Sequence, residues 1–335
     1  MSSKERKLAI DLRELRRSDT GIGRWIKNFL NAKSKLAPFI HVIGVGGYTD
    51  GIDTALNAPK LFWSGFNLNK ILKKEDAKLW FSPYFKIPPG LSIPCYATVH
   101  DTIPASIPHR CIPFTLKLKW SLSVSKKIVT VSDATKNELI EKWKVPCGRI
   151  IMAKNAVGRH FTANNTQNEN NLLTSLGLEL KKYFLVVSDD RPHKNLSTLI
   201  SAFEGFEMIP IILVGTKRKN LPTPFRRLEV FDDQMLAALY RNARALLHPA
   251  LAEGFGLPAL EAMACGCPVI LSDIPSLREV GGDCARYVPA TDIEAWRNAV
   301  LDSPTAEGTI ERASMFRPET TYSELWQEIK KELEQ

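Results

Sequence analysis

Two glutamates that lie eight positions apart, Glu253 and Glu261, enclose a glycine-rich turn in the second half of the chain. Gly254 and Gly256 allow the backbone to turn sharply and to come close to a ligand. Pro258 suits the first turn of a helix, where its missing N–H group costs nothing. The free N–H groups and the positive dipole end of such a helix attract anions. A carboxylate on each side of a phosphate-sized site predicts a ligand with hydroxyls flanking a diphosphate, which is the layout of a nucleotide-sugar.

A basic loop at 189–194 follows a predicted strand and opens a predicted helix, and it contains Arg191 and Lys194. Doubly wound α/β domains place their ligand groups beyond the carboxyl ends of the strands. Arg191 and Lys194 are therefore candidates for neutralising a diphosphate and for stabilising the charge that builds on it as a sugar leaves. The alternative interpretation is an ordinary helix start with solvated charges.

Two further candidates lie in the first half of the chain. Gly21 and Gly23 follow the first predicted strand, and such a GxG turn is typical of phosphate-binding loops and of plain strand-to-helix turns alike. His100 ends another predicted strand. Its imidazole is a candidate active-site group, and the alternative is a structural hydrogen bond to a backbone carbonyl.

Length and composition indicate a globular protein of two domains. The chain has 335 residues, 44% of them hydrophobic and 24% charged. Its net charge of +9 fits anionic substrates or an anionic membrane surface, and nothing in the sequence resembles a nucleic-acid-binding module. The six cysteines form no CxxC pair, which predicts reduced thiols and no metal site. No apolar run is long enough to span a bilayer, and the charged start lacks a hydrophobic continuation, so a cytoplasmic location is expected.

Short apolar runs alternate with longer helical patterns, as in parallel sheets covered by helices. The predicted strands are 7–12, 41–45, 77–81, 95–100, 127–131, 183–187, 209–214, 245–248, 269–271 and 285–288. The Asn-rich tract 162–171 predicts a linker, and 322–333 predicts an amphipathic helix. Basic residues that make contact with a lipid-linked acceptor plausible are Arg13, Arg16, Arg17, Arg24, Lys27, Lys117, Lys119, Lys126 and Lys127.

The segment 253–261 resembles the E-x7-E motif of retaining glycosyltransferases with the GT-B fold, in particular family 4, the glycosyl transferases of group 1. The resemblance implies two Rossmann-like domains facing each other across a cleft. Residues 1–165 would form the acceptor-binding domain and residues 166–315 the nucleotide-sugar-binding domain. The C-terminal helix, in 316–335, would cross back to the N-terminal domain.

The same resemblance implies a role for each candidate residue. Glu253 lies by the donor sugar in that family, and Glu261 binds the ribose hydroxyls. His100 contacts the hydroxyls of the sugar. The groups implied to surround the phosphates are the amides of Gly254, Phe255, Gly256 and Leu257, the cations Lys194 and Arg191, and the loop of Gly21 and Gly23.

The implied activity is that of a mannosyltransferase-like hexosyltransferase of cell-surface polysaccharide biosynthesis. It would transfer a sugar with retention from a GDP- or UDP-linked donor to a glycan or lipid-linked acceptor, without a metal or other cofactor. Peripheral contact with the anionic inner face of the plasma membrane is expected. Two positions depart from the family pattern: Asp189 stands in place of an arginine, and Ala156 in place of a glycine. The alternatives are a GT-B nucleotide-sugar epimerase, a catalytically inactive nucleotide-sugar-binding module and, on the GxG turn alone, a Rossmann dehydrogenase.

Overall fold

The structure is a computed structural model that describes residues 6–16, 20–46, 50–56, 65–108, 110–164, 169–206, 209–302 and 305–335. Arg17 and part of the Asn-rich tract, 165–168, lie outside these residues. The chain forms two compact units, residues 1–156 together with 317–335, and residues 157–316. The C-terminal helix therefore belongs to the first unit, as the family resemblance implies.

The strands and helices alternate along most of the chain. The strands are β1 (Arg6–Asp11), β2 (Ile40–Val45), β3 (Thr54–Leu56), β4 (Leu79–Ser82), β5 (Cys95–Val99), β6 (Lys127–Thr130), β7 (Ile150–Met152), β8 (Phe184–Val187), β9 (Ile211–Val214), β10 (Phe225–Leu228), β11 (Ala245–His248), β12 (Val269–Ser272) and β13 (Arg286–Val288). The helices are α1 (Gly21–Leu36), α2 (Gly65–Lys74), α3 (Cys111–Val124), α4 (Asp133–Glu141), α5 (Glu169–Ser175), α6 (Leu196–Phe203), α7 (Asp233–Asn242), α8 (Leu257–Ala264), α9 (Pro275–Gly281), α10 (Ile293–Leu301), α11 (Thr309–Ser314), α12 (Pro318–Thr321) and α13 (Ser323–Leu333).

The first unit contains a parallel sheet in the order β3-β2-β1-β4-β5-β6-β7. All residues of β4 and β5 are buried, because helices cover both faces of such a sheet. The C-terminal helix α13 packs into this unit through its apolar face. The indole of Trp326 stacks on the ring of Phe29 in α1, with centroids 4.3 Å apart and planes 2° from parallel. Leu325 and Ile329 of the same face are fully buried, which confirms the predicted amphipathic helix.

The second unit contains a parallel sheet in the order β10-β9-β8-β11-β12-β13. Both sheets therefore have the doubly wound order. In each unit the first strand of the sheet lies beside the fourth, and the direction of the strand order reverses between these two strands. The reversal falls between β1 and β4 in the first unit and between β8 and β11 in the second. Among the described residues, no helix is long and apolar enough to span a membrane.

Of the strands in the described ranges, three were not predicted, and these are edge strands of their sheets: β3, β7 and β10. Edge strands are covered less completely, so they carry a weaker apolar signal. The prediction of a linker over 162–171 is wrong at its end, because α5 begins at Glu169 and the Glu169 side chain is 6% exposed. Gly21 and Gly23 lie in the first turn of α1 rather than in a loop before it.

Candidate functional site

The point of strand reversal in the second sheet brings together Lys194 and Glu253. Lys194 is in the loop after β8 and Glu253 in the loop after β11, and 59 positions separate them in the sequence. The Nζ of Lys194 donates to Oε1 of Glu253 at 2.5 Å, and the two side chains are 12% and 10% exposed. Ligands of open α/β sheets bind in the crevice beyond such a reversal point. The pair is therefore where a ligand of this unit is expected.

His248 forms a hydrogen bond with the carboxylate of this ion pair. It is the last residue of β11, and its Nε2 donates to the same Oε1 of Glu253 at 2.9 Å. Burial alone raises the pKa of Glu253, but the charge of Lys194 and the hydrogen bond from His248 lower it well below its ordinary value. Glu253 is therefore a carboxylate at physiological pH. Among the described residues none donates to its Oε2, which leaves this oxygen able to accept from a ligand hydroxyl.

Asn195 holds the loop that carries Lys194. It is 6% exposed and has a left-handed backbone, with φ of 57°, a conformation that asparagine tolerates better than most residues. Its Nδ2 donates to the carbonyls of Pro249, at 2.9 Å, and Ala290, at 2.8 Å. The N–H of Leu251 also donates to the carbonyl of His193 at 2.8 Å. These bonds join the loops after β8, β11 and β13, so Asn195 positions Lys194 relative to Glu253.

Replacing Asn195 by alanine should lower both stability and turnover. The change removes two hydrogen bonds to backbone carbonyls and leaves an alanine, which tolerates the left-handed region less well than asparagine, for a loss of about 2 kcal/mol. We expect kcat to fall about tenfold even well below the melting temperature, because Lys194 loses its support. Asn195→Gly is the matched control, since it removes the same bonds but accepts the backbone conformation. Equal stabilities of the two variants, or an unchanged kcat in both, would contradict this account.

The turn between the two glutamates leads into α8 as predicted. Gly256 has φ of 111°, and a Cβ at this position would lie 2.5 Å from Cδ2 of Leu277, so only glycine fits. The N–H groups of 254–257 donate to no acceptor among the described residues. They are thus available to an anion at the start of α8. Glu261 lies within α8, is 2% exposed and accepts a hydrogen bond from the hydroxyl of Tyr240 at 3.3 Å.

Arg191 lies at the surface, paired with the carboxylate of Asp189 at 2.8 Å. The predicted contact of Arg191 with a diphosphate stays a prediction. Asp190 links two loops, since it accepts from the hydroxyl of Thr216 at 2.6 Å and from the N–H of Lys217 at 2.7 Å. Asp190 is therefore a structural residue of the loop.

In the first unit, His100 follows β5 and is largely buried. Its Nε2 donates to the carbonyl of Pro83 at 2.8 Å, and its ring lies edge-on to Trp25 with centroids 5.6 Å apart. Burial lowers the pKa of His100 to about 4, although the hydrogen bond to Pro83 opposes this. His100 is therefore neutral at physiological pH, with Nδ1 as the acceptor nitrogen. Gly23 presents its N–H to the hydroxyl of Thr20, the N-cap of α1, at 3.1 Å.

A polar cluster at the reversal point of the first sheet was not predicted. The carboxylate of Asp11, at the end of β1, is 0% exposed and accepts from Nε of Arg13 at 2.8 Å. The hydroxyl of Tyr84, which follows β4, also donates to Asp11. Burial and the neighbouring carboxylate raise the pKa of Tyr84, so it stays protonated. The sequence identifies Arg13 only as one of many basic residues.

His248 and Asn195 were not identified from the sequence as residues of the site. His248 had a usable signal, because it ends a predicted strand on the same side of the sheet as the candidate glutamate. Asn195 adjoins Lys194 but has no sequence feature that reports its bonds to Pro249 and Ala290. The structure brings together the predicted residues Lys194, Glu253 and the turn 254–257. They lie beyond the carboxyl ends of the two central strands of the second sheet, β8 and β11. His100, Gly21 and Gly23 lie in the first unit.

Comparison with known proteins identifies the family of the second unit. Residues 174–303 match the family model of the glycosyl transferases group 1. The chain is 31% identical over 247 residues to the O-antigen chain mannosyltransferase B of Escherichia coli, a match that covers 67% of this chain and 65% of that protein. It is 25% identical over 346 residues to the O-antigen chain mannosyltransferase RfbU of Salmonella typhimurium, covering 92% of this chain and 94% of the relative.

Solved structures share the fold. The sucrose-phosphate synthase of Thermosynechococcus elongatus aligns with a TM-score of 0.79 at 17% identity, over 97% of this chain and 99% of that one. The Anabaena protein HepE, solved in complex with UDP-glucose, aligns with a TM-score of 0.72 at 15% identity, over 98% and 99% of the two chains. Both are consistent with a GT-B architecture of two parallel-sheet α/β domains. Residues 174–303 are therefore a glycosyl transferases group 1 domain.

Proposed function

We propose that this protein is a retaining mannosyltransferase that moves mannose from a nucleotide-diphosphate donor, GDP-mannose in the first instance, to a glycan or lipid-linked acceptor. The observation that carries the proposal is the ion pair of Lys194 and Glu253 next to the unpaired N–H groups of 254–257. Two loops of the second unit thus offer a cation and four backbone donors for a diphosphate, beside a carboxylate for sugar hydroxyls. The names of the O-antigen mannosyltransferase relatives support mannose and surface-polysaccharide assembly.

The geometry suggests how each group would act on this donor. Lys194 and the amides at the start of α8 would stabilise the negative charge that grows on the diphosphate as the glycosidic C–O bond breaks. Glu253 would accept a hydrogen bond from a sugar hydroxyl through Oε2. Glu261, with its carboxylate beside Tyr240, would hold the ribose hydroxyls at the far end of the turn. In this arrangement the protein itself supplies the positive charge, so transfer would not need a metal ion.

Retention is proposed to occur without a covalent sugar–enzyme intermediate. Glu253 is a poor nucleophile because its Oε1 already accepts from Lys194 and His248 and its low pKa marks a weakly basic carboxylate. The acceptor hydroxyl would instead attack the anomeric carbon from the side of the leaving group. Its proton would pass to an oxygen of the departing diphosphate, so the products are the glycoside and the protonated nucleoside diphosphate.

A panel of donors tests the proposal. We expect GDP-mannose to raise the melting temperature of the protein more than UDP-glucose or ADP-glucose does, because the bound donor stabilises only the folded state. Slow release of GDP should continue in EDTA, and the mannose first released should be the α-anomer, as followed by NMR.

Each alternative function has its own outcome in this panel. Release of a rearranged sugar without an acceptor would identify an epimerase. Strong stabilisation by a nucleotide-sugar without turnover, in the presence of acceptor glycans, would identify an inactive binding module. Release of the β-anomer, or loss of turnover in EDTA that added Mg²⁺ restores, would contradict the proposed mechanism.

A further inference from the structure

Helix α3 is apolar on two opposite faces. One face packs into the first unit through Phe114, Leu118 and Leu122, which are at most 8% exposed. The opposite face carries a stripe of four large apolar side chains at a spacing of four residues, Ile112, Leu116, Trp120 and Val124, which are 69%, 64%, 44% and 37% exposed. We call this stripe the α3 ridge.

The α3 ridge is more than scattered surface hydrophobicity. Single exposed apolar residues are common on soluble proteins, but a continuous apolar stripe normally faces a partner. Residues four apart lie on neighbouring turns of a helix, so the four side chains form one strip along the whole of α3. A cavity of about 610 Å³ continues the strip at its last turn and is lined by Trp120, Val124, Leu91 and Ile93.

Positive charge borders the ridge on both sides. At about 100° per residue, Lys119 projects next to Ile112 at one edge, and Lys117 projects beyond Val124 at the other. Both lysines are exposed, and the 14 residues of α3 include no aspartate or glutamate. Lys126, two residues after the end of the helix, is paired with the carboxylate of Glu332 at 2.8 Å. The surface is therefore an apolar strip with an exposed lysine along each side.

We infer that the α3 ridge docks on an anionic lipid surface. A helix with this pattern lies in the plane of the membrane interface, with its apolar side chains among the acyl chains and its lysines extended to the headgroups. Tryptophan favours this interfacial region, and each nearby lysine adds attraction to anionic lipid. A second copy of the same face is a poorer partner, because two-fold pairing would place lysines against lysines without a carboxylate to offset them.

Flotation with vesicles tests this inference on the full-length protein. Wild-type protein should float with vesicles of equal parts phosphatidylglycerol and phosphatidylcholine, and should float little with phosphatidylcholine alone. The variant Ile112→Ser/Leu116→Ser/Trp120→Ser should lower the partition coefficient at least tenfold. The matched control is Phe39→Ser, which removes a side chain that is 85% exposed elsewhere in the same unit. That control should bind as wild type does.

Charge is tested separately. The variant Lys117→Glu/Lys119→Glu should remove the preference for anionic vesicles, whereas Lys73→Glu/Lys74→Glu, an equal charge change on the exposed end of α2, should retain most of it. Circular dichroism checks that each variant is folded. Equal flotation of the ridge variant and the wild type would overturn the inference. So would a lipid-free dimer, detected by sedimentation velocity, that the ridge variant abolishes, because the ridge would then be a protein interface.

Discussion

Replacing Lys194 by methionine should lower kcat for sugar transfer about 10²–10³-fold, the loss typical of removing one donor that stabilises a developing oxyanion. The side chain is 12% exposed and its Nζ lies 2.5 Å from Glu253, next to the amides that would receive the diphosphate. The charge of lysine matters most when the leaving group is most negative, in the transition state. We therefore expect the KM for the donor to change less than kcat.

The ion pair introduces a second effect that must be separated from catalysis. Without Lys194 the largely buried carboxylate of Glu253 loses its cation, so the variant should also be less stable. The charge-balanced double variant Lys194→Met/Glu253→Gln distinguishes the two roles. It should recover melting temperature but not turnover. Recovery of turnover in the double variant, or near wild-type kcat in Lys194→Met, would show that Lys194 only neutralises Glu253.

Glu261 offers a contrast within the same segment. It lies in α8, beside Tyr240 and beyond the turn that would receive the diphosphate, so its proposed role is to bind the donor rather than to stabilise the leaving group. Glu261→Gln should therefore raise the KM for the donor more than it lowers kcat. If Lys194→Met changed mainly the KM for the donor and Glu261→Gln changed mainly kcat, the roles assigned to the two residues would be wrong.

Replacing Glu169 by leucine should destabilise the second unit by about 3–5 kcal/mol, the usual cost of leaving a buried charge without its partner. Glu169 accepts from Nε and Nη2 of Arg241 at 2.9 and 2.5 Å, and from the amide of Asn242 at 2.9 Å. The side chains of Arg241 and Glu169 are 4% and 6% exposed, so water cannot replace the lost contacts. Within the part of the chain that the structure describes, the guanidinium would keep only its bond to the carbonyl of Thr162, at 2.8 Å.

Urea unfolding of the second unit, followed by a probe in that unit, measures this effect. The double variant Glu169→Leu/Arg241→Met should lose much less stability than either single variant, because both charges are removed together. Glu179→Gln, which breaks the exposed pair with Lys182, should cause no measurable change and serves as the surface control. A single variant as stable as the wild type would contradict the assigned role of this buried pair.

Local patterns in the sequence determined much of the fold. The strands that were predicted lie mainly inside the sheets, where burial on both faces imposes continuous apolar runs. The turn 254–257 and the helix after it followed from glycine and proline chemistry, and Gly256 indeed needs the absence of a Cβ. Ser132 caps α4 through a hydrogen bond from the N–H of Thr135 at 3.0 Å, as its position before an acidic first turn indicates. These features depend on neighbours within a few residues.

Only the tertiary structure decided which distant residues meet. The strand order places β8 beside β11, and this brings the ends of two loops, and with them Lys194, Glu253 and His248, to one point. The pairing of Glu169 with Arg241 and the anchoring of Asn195 arise in the same way, since no local pattern encodes a contact across many tens of residues. Helix α3 shows most clearly what the sequence leaves undetermined. The sequence shows that both of its faces are apolar, but packing against one of them determines that the α3 ridge remains exposed.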